Sequence, residues 1–236
     1  MKQINVSDQA HMAESVRVLK RAYFSTYHLY AARYAAEEAQ TRETELAGEG
    51  NRFDIRHRGL VLSAIAESAF FLEAAINEVF QDAHDGHTIS IDSLGEECLS
   101  AMAAVWKATD QGKRQVPALD KYDLALRLAG KEPFLTGAAP YQNAARLVQL
   151  RNHLVHYRPE YVSNDTTNSI GKMLKNLVVP NALMDESNPW FPDRALGAGC
   201  ADWAWRSARA LTDEFARRLG LQLNYQCADF GDPLPS

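Results

Sequence analysis

The sequence predicts an all-α helical bundle. Apolar residues recur at three- and four-residue intervals over long segments, Gly and Pro punctuate those segments, and no alternating apolar-polar pattern runs beyond a few residues. With 46% hydrophobic and 23% charged residues over 236 positions, the chain can bury a core and has ordinary globular composition.

Ser7 is placed to cap a first long helix over 7–46, with Val16, Leu19, Tyr23, Phe24, Tyr27, Tyr30, Ala31 and Tyr34 at helical spacing before Gly48 and Gly50 break it. That spacing assigns the tyrosines to a core or a dimer interface rather than to a base-stacking platform. A second helix over 52–83 is the central one, because Leu60, Val61, Ile65, Phe70, Leu72, Ile76, Val79 and Phe80 cover more than one face. Glu73 and Asn77 share one side of it. A buried carboxylate there needs a partner, and an arginine or a backbone donor is expected for Glu73.

His84 and His87 beside Asp82 and Asp85 lack a further ligand group nearby and read as solvated loop residues. Ser93 and Glu96 form a capping-box pattern opening a helix through Met102, Val105 and Trp106; a loop over 110–117 and a short helix over 118–129, closed by Gly130, follow. The next helix starts near Pro140, buries Ala144, Leu147, Leu150 and Leu154, and is stopped by Pro159. Beyond a polar loop come a modest helix through Ile170, Met173, Leu174 and Leu177, an irregular stretch over 180–199 with Trp190 and Phe191 to bury, and a last helix over 201–219. The tail after Gly220 is expected to be extended or frayed. Residues 7–178 are read as the bundle, and 179–236 as an irregular segment plus a C-terminal helix on the same domain.

A net charge of −5 argues against a broad basic surface but leaves room for a local basic cleft, for which Arg146, Arg151, Arg158, Arg56 and Arg58 are the candidates. No uninterrupted apolar run reaches the roughly 18–20 residues of a membrane helix, and positions 1–8 lack a signal peptide's apolar segment, so a cytoplasmic protein without a membrane partner is expected. Cys98, Cys200 and Cys227 are dispersed and odd in number, and read as thiols. There is no Gly-rich phosphate loop, His-Glu-x-x-His, cysteine pair or nucleophile elbow, so no metal or cofactor is expected.

The chemistry concentrates in Arg151-Asn152-His153-Leu154-Val155-His156-Tyr157-Arg158-Pro159. At about 100° per residue, Arg151 falls close to the buried side of its helix, while Asn152 and His156 fall together on the opposite side. One reading is structural: Arg151 pairs with Glu73, and His156 ends the helix where positive charge is favoured. The other is chemical, since an arginine can hold phosphate oxygens and a histidine can move a proton near neutral pH.

Arg151, Asn152 and His156 resemble the Arg-polar-x3-His motif of the HEPN superfamily. The long helix before the motif also fits, and the stretch Phe71-Leu72-Glu73-Ala74-Ala75-Ile76-Asn77-Glu78 is similar to a helix of some members. The resemblance covers about 7–161. It implies a helical bundle with long first and second helices, here with an extra C-terminal helix. It implies a metal-independent endoribonuclease acting as a homodimer, its two motif helices facing across a two-fold axis. Arg151, Asn152 and His156 would be catalytic, with Glu73, Asn77, His153, Tyr157 and Arg158 supporting them or binding RNA. A toxin, abortive-infection or antiviral defence setting is implied, with an antitoxin or defence-system protein as a further partner. Other members are non-catalytic modules that bind RNA or protein. Nucleotidyltransferase-linked members carry a tyrosine two residues after the histidine, whereas Tyr157 and Arg158 follow it here, which departs from that pattern.

Overall fold

The computed structural model describes residues 20–48, 50–111, 116–163 and 167–228. The fold is all-α, with no strand among the described residues. Its helices are α1 (Ser25–Leu46), α2 (Ile55–Asp85), α3 (Glu96–Gln111), α4 (Ala118–Leu128), α5 (Tyr141–Val155), α6 (Ser169–Leu174) and α7 (Ala198–Leu219).

α1 and α2 form an antiparallel pair, fixed at one end by Ser25, whose backbone N–H donates to Glu78, and at the other by the Glu43–His57 contact. Ala32, Ala36 and Ala39 make up much of the buried face of α1, so the two helices approach closely. The expected start at Ser7 does not give one continuous helix: residues 20–24 are non-helical, and Ser7, Val16 and Leu19 lie outside the described residues. Of the two places expected for the aromatic row, the core is excluded. Phe24, Tyr27, Tyr30 and Tyr34 are 60%, 65%, 50% and 51% exposed, because the alanines take the inward positions.

α2 is capped by Asp54, which accepts the His57 N–H at 2.7 Å and pairs with Arg42 at 2.8 Å; hydrogen bonding to Arg42 holds its carboxyl down at about 2. By length and composition α2 is apolar enough to cross a membrane, contrary to the count of uninterrupted apolar residues, which Glu67 and Glu73 punctuate; half of that stretch is buried inside the bundle. Asp82 is not a solvated loop residue either: it is buried and accepts from Arg21, Tyr23 and Ser90.

α7 lies on α2 and α1, with Ala201, Ala204, Ala208, Leu211 and Phe215 fully buried in the core that the other helices share. Tyr122 of α4 ties three helices together, its hydroxyl meeting the Leu72 carbonyl at 3.1 Å and Thr212 at 3.0 Å. Ser93 does not cap α3; its hydroxyl donates to the Leu219 carbonyl. The tail after Gly220 is docked rather than frayed as far as it is described. Leu221, Leu223 and Tyr225 are buried, and the Tyr225 ring meets Phe71 edge-on at 5.0 Å.

The 180–199 stretch folds back on itself, with Asn181 bonded to the Asp193 and Arg194 carbonyls. One side chain of α1 fastens it. Glu43, whose side chain is 7% exposed, accepts from His57 Nε2 at 2.8 Å, from the Ala182 N–H at 2.7 Å and from the Ala198 N–H at 2.7 Å. The last of these bonds places a carboxylate at the α7 N-terminus, where the helix dipole favours it. Burial pushes the Glu43 carboxyl up, but the three hydrogen bonds outweigh it and leave the group below its ordinary value.

Candidate functional site

α5 carries the motif to the surface. Ala144, Leu147 and Leu150 are its fully buried positions, and the helix ends at Val155. Its last backbone bond runs from the His156 N–H to the Asn152 carbonyl at 3.0 Å, and His156 takes the non-helical angles φ −103°, ψ 24°. The helix thus stops four residues before Pro159, earlier than the proline requires. Asn152, His156, Tyr157 and Arg158 are exposed, whereas Arg151 and His153 are half-buried.

Arg151 turns toward the neighbouring helices, as helical geometry predicts, but Glu73 is not its partner. Its guanidinium lies over the Phe70 ring of α2 at 5.8 Å, and Nη1 donates to Asn152 Oδ1 at 3.0 Å. Nε is buried with no hydrogen-bond partner. Glu73 and Asn77 do share a face of α2, and that face meets α4. Lys121 Nζ donates to Asn77 at 2.7 Å and stands 3.8 Å from Glu73, whose side chain is 45% exposed. These two residues are therefore not brought together with Arg151. His156 forms no side-chain hydrogen bond or ion pair among the described residues.

Phe70 links the motif to α1. Its ring meets His28 at 5.6 Å, His28 meets Phe24 at 6.3 Å, and Phe24 meets Tyr27 at 5.7 Å, so a chain of rings runs from beside Arg151 toward the exposed tyrosines. His28 Nδ1 is 2.7 Å from Glu67. Sequence reasoning did not assign Phe70, His28 or Glu67 to the site. The signal was the row Leu62, Ala66, Phe70, a four-residue repeat on a different side of α2 from Val61, Ile65 and Leu72.

Below Arg151 a groove opens between α2, α5 and the segment before α7, lined by Arg58, Leu62, Ala66, Leu154, Tyr157 and Phe191 among others. The irregular stretch supplies its far wall. His153 stands edge-on to Tyr157 at 5.6 Å and to Phe191 at 5.5 Å, holding the end of α5 against that wall. Of the basic-cleft candidates, Arg58 and Arg151 line this groove, whereas Arg56 and Arg158 are exposed and Arg146 is half-buried on α5. Burial lowers the pKa of Arg58 below the usual arginine value despite the pull of Asp193, whose carboxylate is 3.6 Å away.

Among the described residues no group of three or more His, Cys, Asp or Glu side chains is arranged to hold a metal ion. Cys98 and Cys200 are buried and Cys227 is exposed, all as free thiols. Comparison of the chain with family models, with curated proteins and with solved structures returns no match.

Proposed function

We propose that the chain is a HEPN-type, metal-independent endoribonuclease whose site is the exposed end of α5, completed by the same helix end of a second copy. One observation carries the reading. Arg151, Asn152 and His156 sit at one surface helix terminus: among the described residues His156 has no side-chain hydrogen bond or ion pair, and Arg151 hydrogen-bonds to Asn152 alone while its guanidinium lies over Phe70. The structural alternative, a buried Arg151–Glu73 pair, is absent, because Glu73 faces Lys121.

The chemistry follows from these groups. The ribose 2′-oxygen attacks the adjacent phosphorus while one His156 imidazole takes its proton; the bond from phosphorus to the 5′-oxygen breaks, and that oxygen is protonated by the imidazolium of the other copy. The products are a 2′,3′-cyclic phosphate and a 5′-hydroxyl. Arg151 neutralises the non-bridging phosphate oxygens, with Asn152 orienting its guanidinium through the 3.0 Å bond. The chain of rings from Phe70 through half-buried His28 to exposed Phe24 and Tyr27 supports a single-stranded substrate, since unpaired bases stack on such rings regardless of sequence. Under this reading the tyrosine row is the base-stacking platform that its helical spacing argued against. The toxin, abortive-infection or antiviral defence setting, with an antitoxin or defence protein as partner, rests on the motif resemblance.

The test is incubation of purified protein with RNA in EDTA, comparing wild type with His156→Ala and Arg151→Ala. Each substitution is expected to slow cleavage by about 10²-fold or more, the usual worth of a general acid-base or charge-stabilising group. Full cleavage by both variants would overturn the site. RNA binding without cleavage by the wild type would favour a non-catalytic RNA-binding module.

A further inference from the structure

The groove beneath Arg151 has a volume of about 430 Å³, the size of a small-molecule site. Its walls are aliphatic and aromatic, with Leu62 and Ala66 from α2, Leu154 from α5, and Phe191 and Leu196 from the irregular segment. Two arginines, Arg58 and Arg151, line this apolar space, and no Asp or Glu is among the lining residues. The Nε–H of each is buried and has no acceptor. Arg58 is otherwise held by the Asp193 carboxylate at 3.6 Å, the Asp193 carbonyl at 3.5 Å and the face of the Phe53 ring at 5.5 Å.

A guanidinium presents five N–H donors and no acceptor, and buried donors are ordinarily paired. No protein acceptor meets either Nε–H, and no acidic side chain among the lining residues balances the two arginines, so the groove is complementary to an anion. The walls decide what accompanies the anion. A nucleobase edge needs several hydrogen-bond partners, and beyond the two arginines the lining side chains supply one hydroxyl, that of Tyr157. An alkyl chain needs none.

We infer that this groove binds an amphipathic organic carboxylate, its hydrocarbon body between α2, α5 and Phe191 and its carboxylate at the Arg58 and Arg151 guanidiniums. A planar carboxylate accepts two parallel N–H bonds from an arginine fork, so a single carboxylate can engage the guanidinium edges that face the groove. The site shares Arg151 with the proposed nuclease site, but carboxylate binding does not require the nuclease reaction.

Isothermal titration of the full chain with octanoate, 1-octanol and inorganic phosphate tests the assignment. Octanoate is expected to bind once per chain, with 1-octanol weaker by about tenfold or more and phosphate giving no saturable heat. Arg58→Met and Arg151→Met should each weaken octanoate by about tenfold or more. Ala66→Phe, which fills the floor of the groove, should abolish binding while leaving helical circular dichroism unchanged. If Ala66→Phe loses helix content, Leu62→Trp at the more exposed edge serves in its place. Absence of octanoate binding to the wild type, equal affinity for octanoate and octanol, or undiminished binding in the folded groove-filling variant would each overturn the inference. So would a wild type that ignores octanoate while the groove-filling substitution changes its oligomeric state, since the groove would then be an interface between copies. No RNA enters these measurements, so their outcome is separate from that of the nuclease proposal.

Discussion

Glu43→Gln tests how the irregular 180–199 stretch is held in place. The wild-type carboxylate satisfies three donors, His57 Nε2 and the Ala182 and Ala198 N–H groups, at 2.7–2.8 Å in a nearly solvent-free position. Glutamine keeps the shape but replaces one oxygen with an NH₂ group, so at least one of these donors faces another donor. Leaving a buried donor unpaired costs about 1–3 kcal/mol, and losing the charge at the remaining bonds adds to this; about 3 kcal/mol in total is expected. For a chain of this size that corresponds to a fall in Tm of about 6–12 °C. Urea unfolding followed by circular dichroism gives the free energy directly.

The difference also has a pH signature. The folded-state carboxyl lies below its ordinary value of 4.5, so its stabilisation is complete above that value and drains away as pH falls through the lowered folded pKa. The gap between wild type and Glu43→Gln should therefore be constant above about pH 5 and close progressively below it. A gap under about 0.5 kcal/mol at pH 7, the range of ordinary surface substitutions, would refute the reasoning.

Glu73→Ala removes a half-exposed carboxylate 3.8 Å from Lys121; stability should change by less than about 1 kcal/mol in urea, and RNA cleavage not at all, because this face of α2 meets α4. Gly197→Ala should destabilise by about 1–3 kcal/mol in the same assay, since a Cβ there would meet the Asn181 Cα at 2.6 Å and its backbone nitrogen at 3.0 Å. Light scattering at micromolar concentration should give twice the chain mass if two copies complete the site; a monomer that nonetheless cleaves RNA would contradict the two-histidine arrangement.

Much of the helix order was legible because α2, α4, α5 and α7 have strong apolar periodicity and clear breaks at Gly86, Gly130 and Gly220. What spacing cannot reveal is which neighbour a face meets. Glu73 and Asn77 share a side as their spacing requires, yet whether that side meets α4 or α5 depends on tertiary packing. The tyrosines of α1 look like a core stripe until the alanines between them are recognised as the close-contact face. Glu43 leaves no local signal of its role, because two of its three donors are 139 and 155 residues away in sequence. The docked tail leaves a trace in the alternation of Leu221, Leu223 and Tyr225, which buries one side of an extended stretch that ends in the short 3-10 turn Asn224–Cys227.

At the site itself, rotation about α5 places Arg151 toward its neighbours and Asn152 and His156 in solvent, but the long Arg151 side chain reaches back to bond Asn152. The Phe70 ring beneath Arg151 and the wall at Phe191 come from distant parts of the chain, one of them an irregular segment with no periodicity to read.

The most direct measurement is the fate of an RNA oligonucleotide carrying a single 2′-deoxy nucleotide at a mapped cleavage position, incubated with the protein in EDTA. If the His156 end of α5 directs attack by the substrate's own 2′-oxygen, the all-ribose strand is cut to a 2′,3′-cyclic phosphate and a 5′-hydroxyl, and the substituted position is spared. Cleavage at the deoxy position, or products ending in a 3′-hydroxyl, would contradict the account.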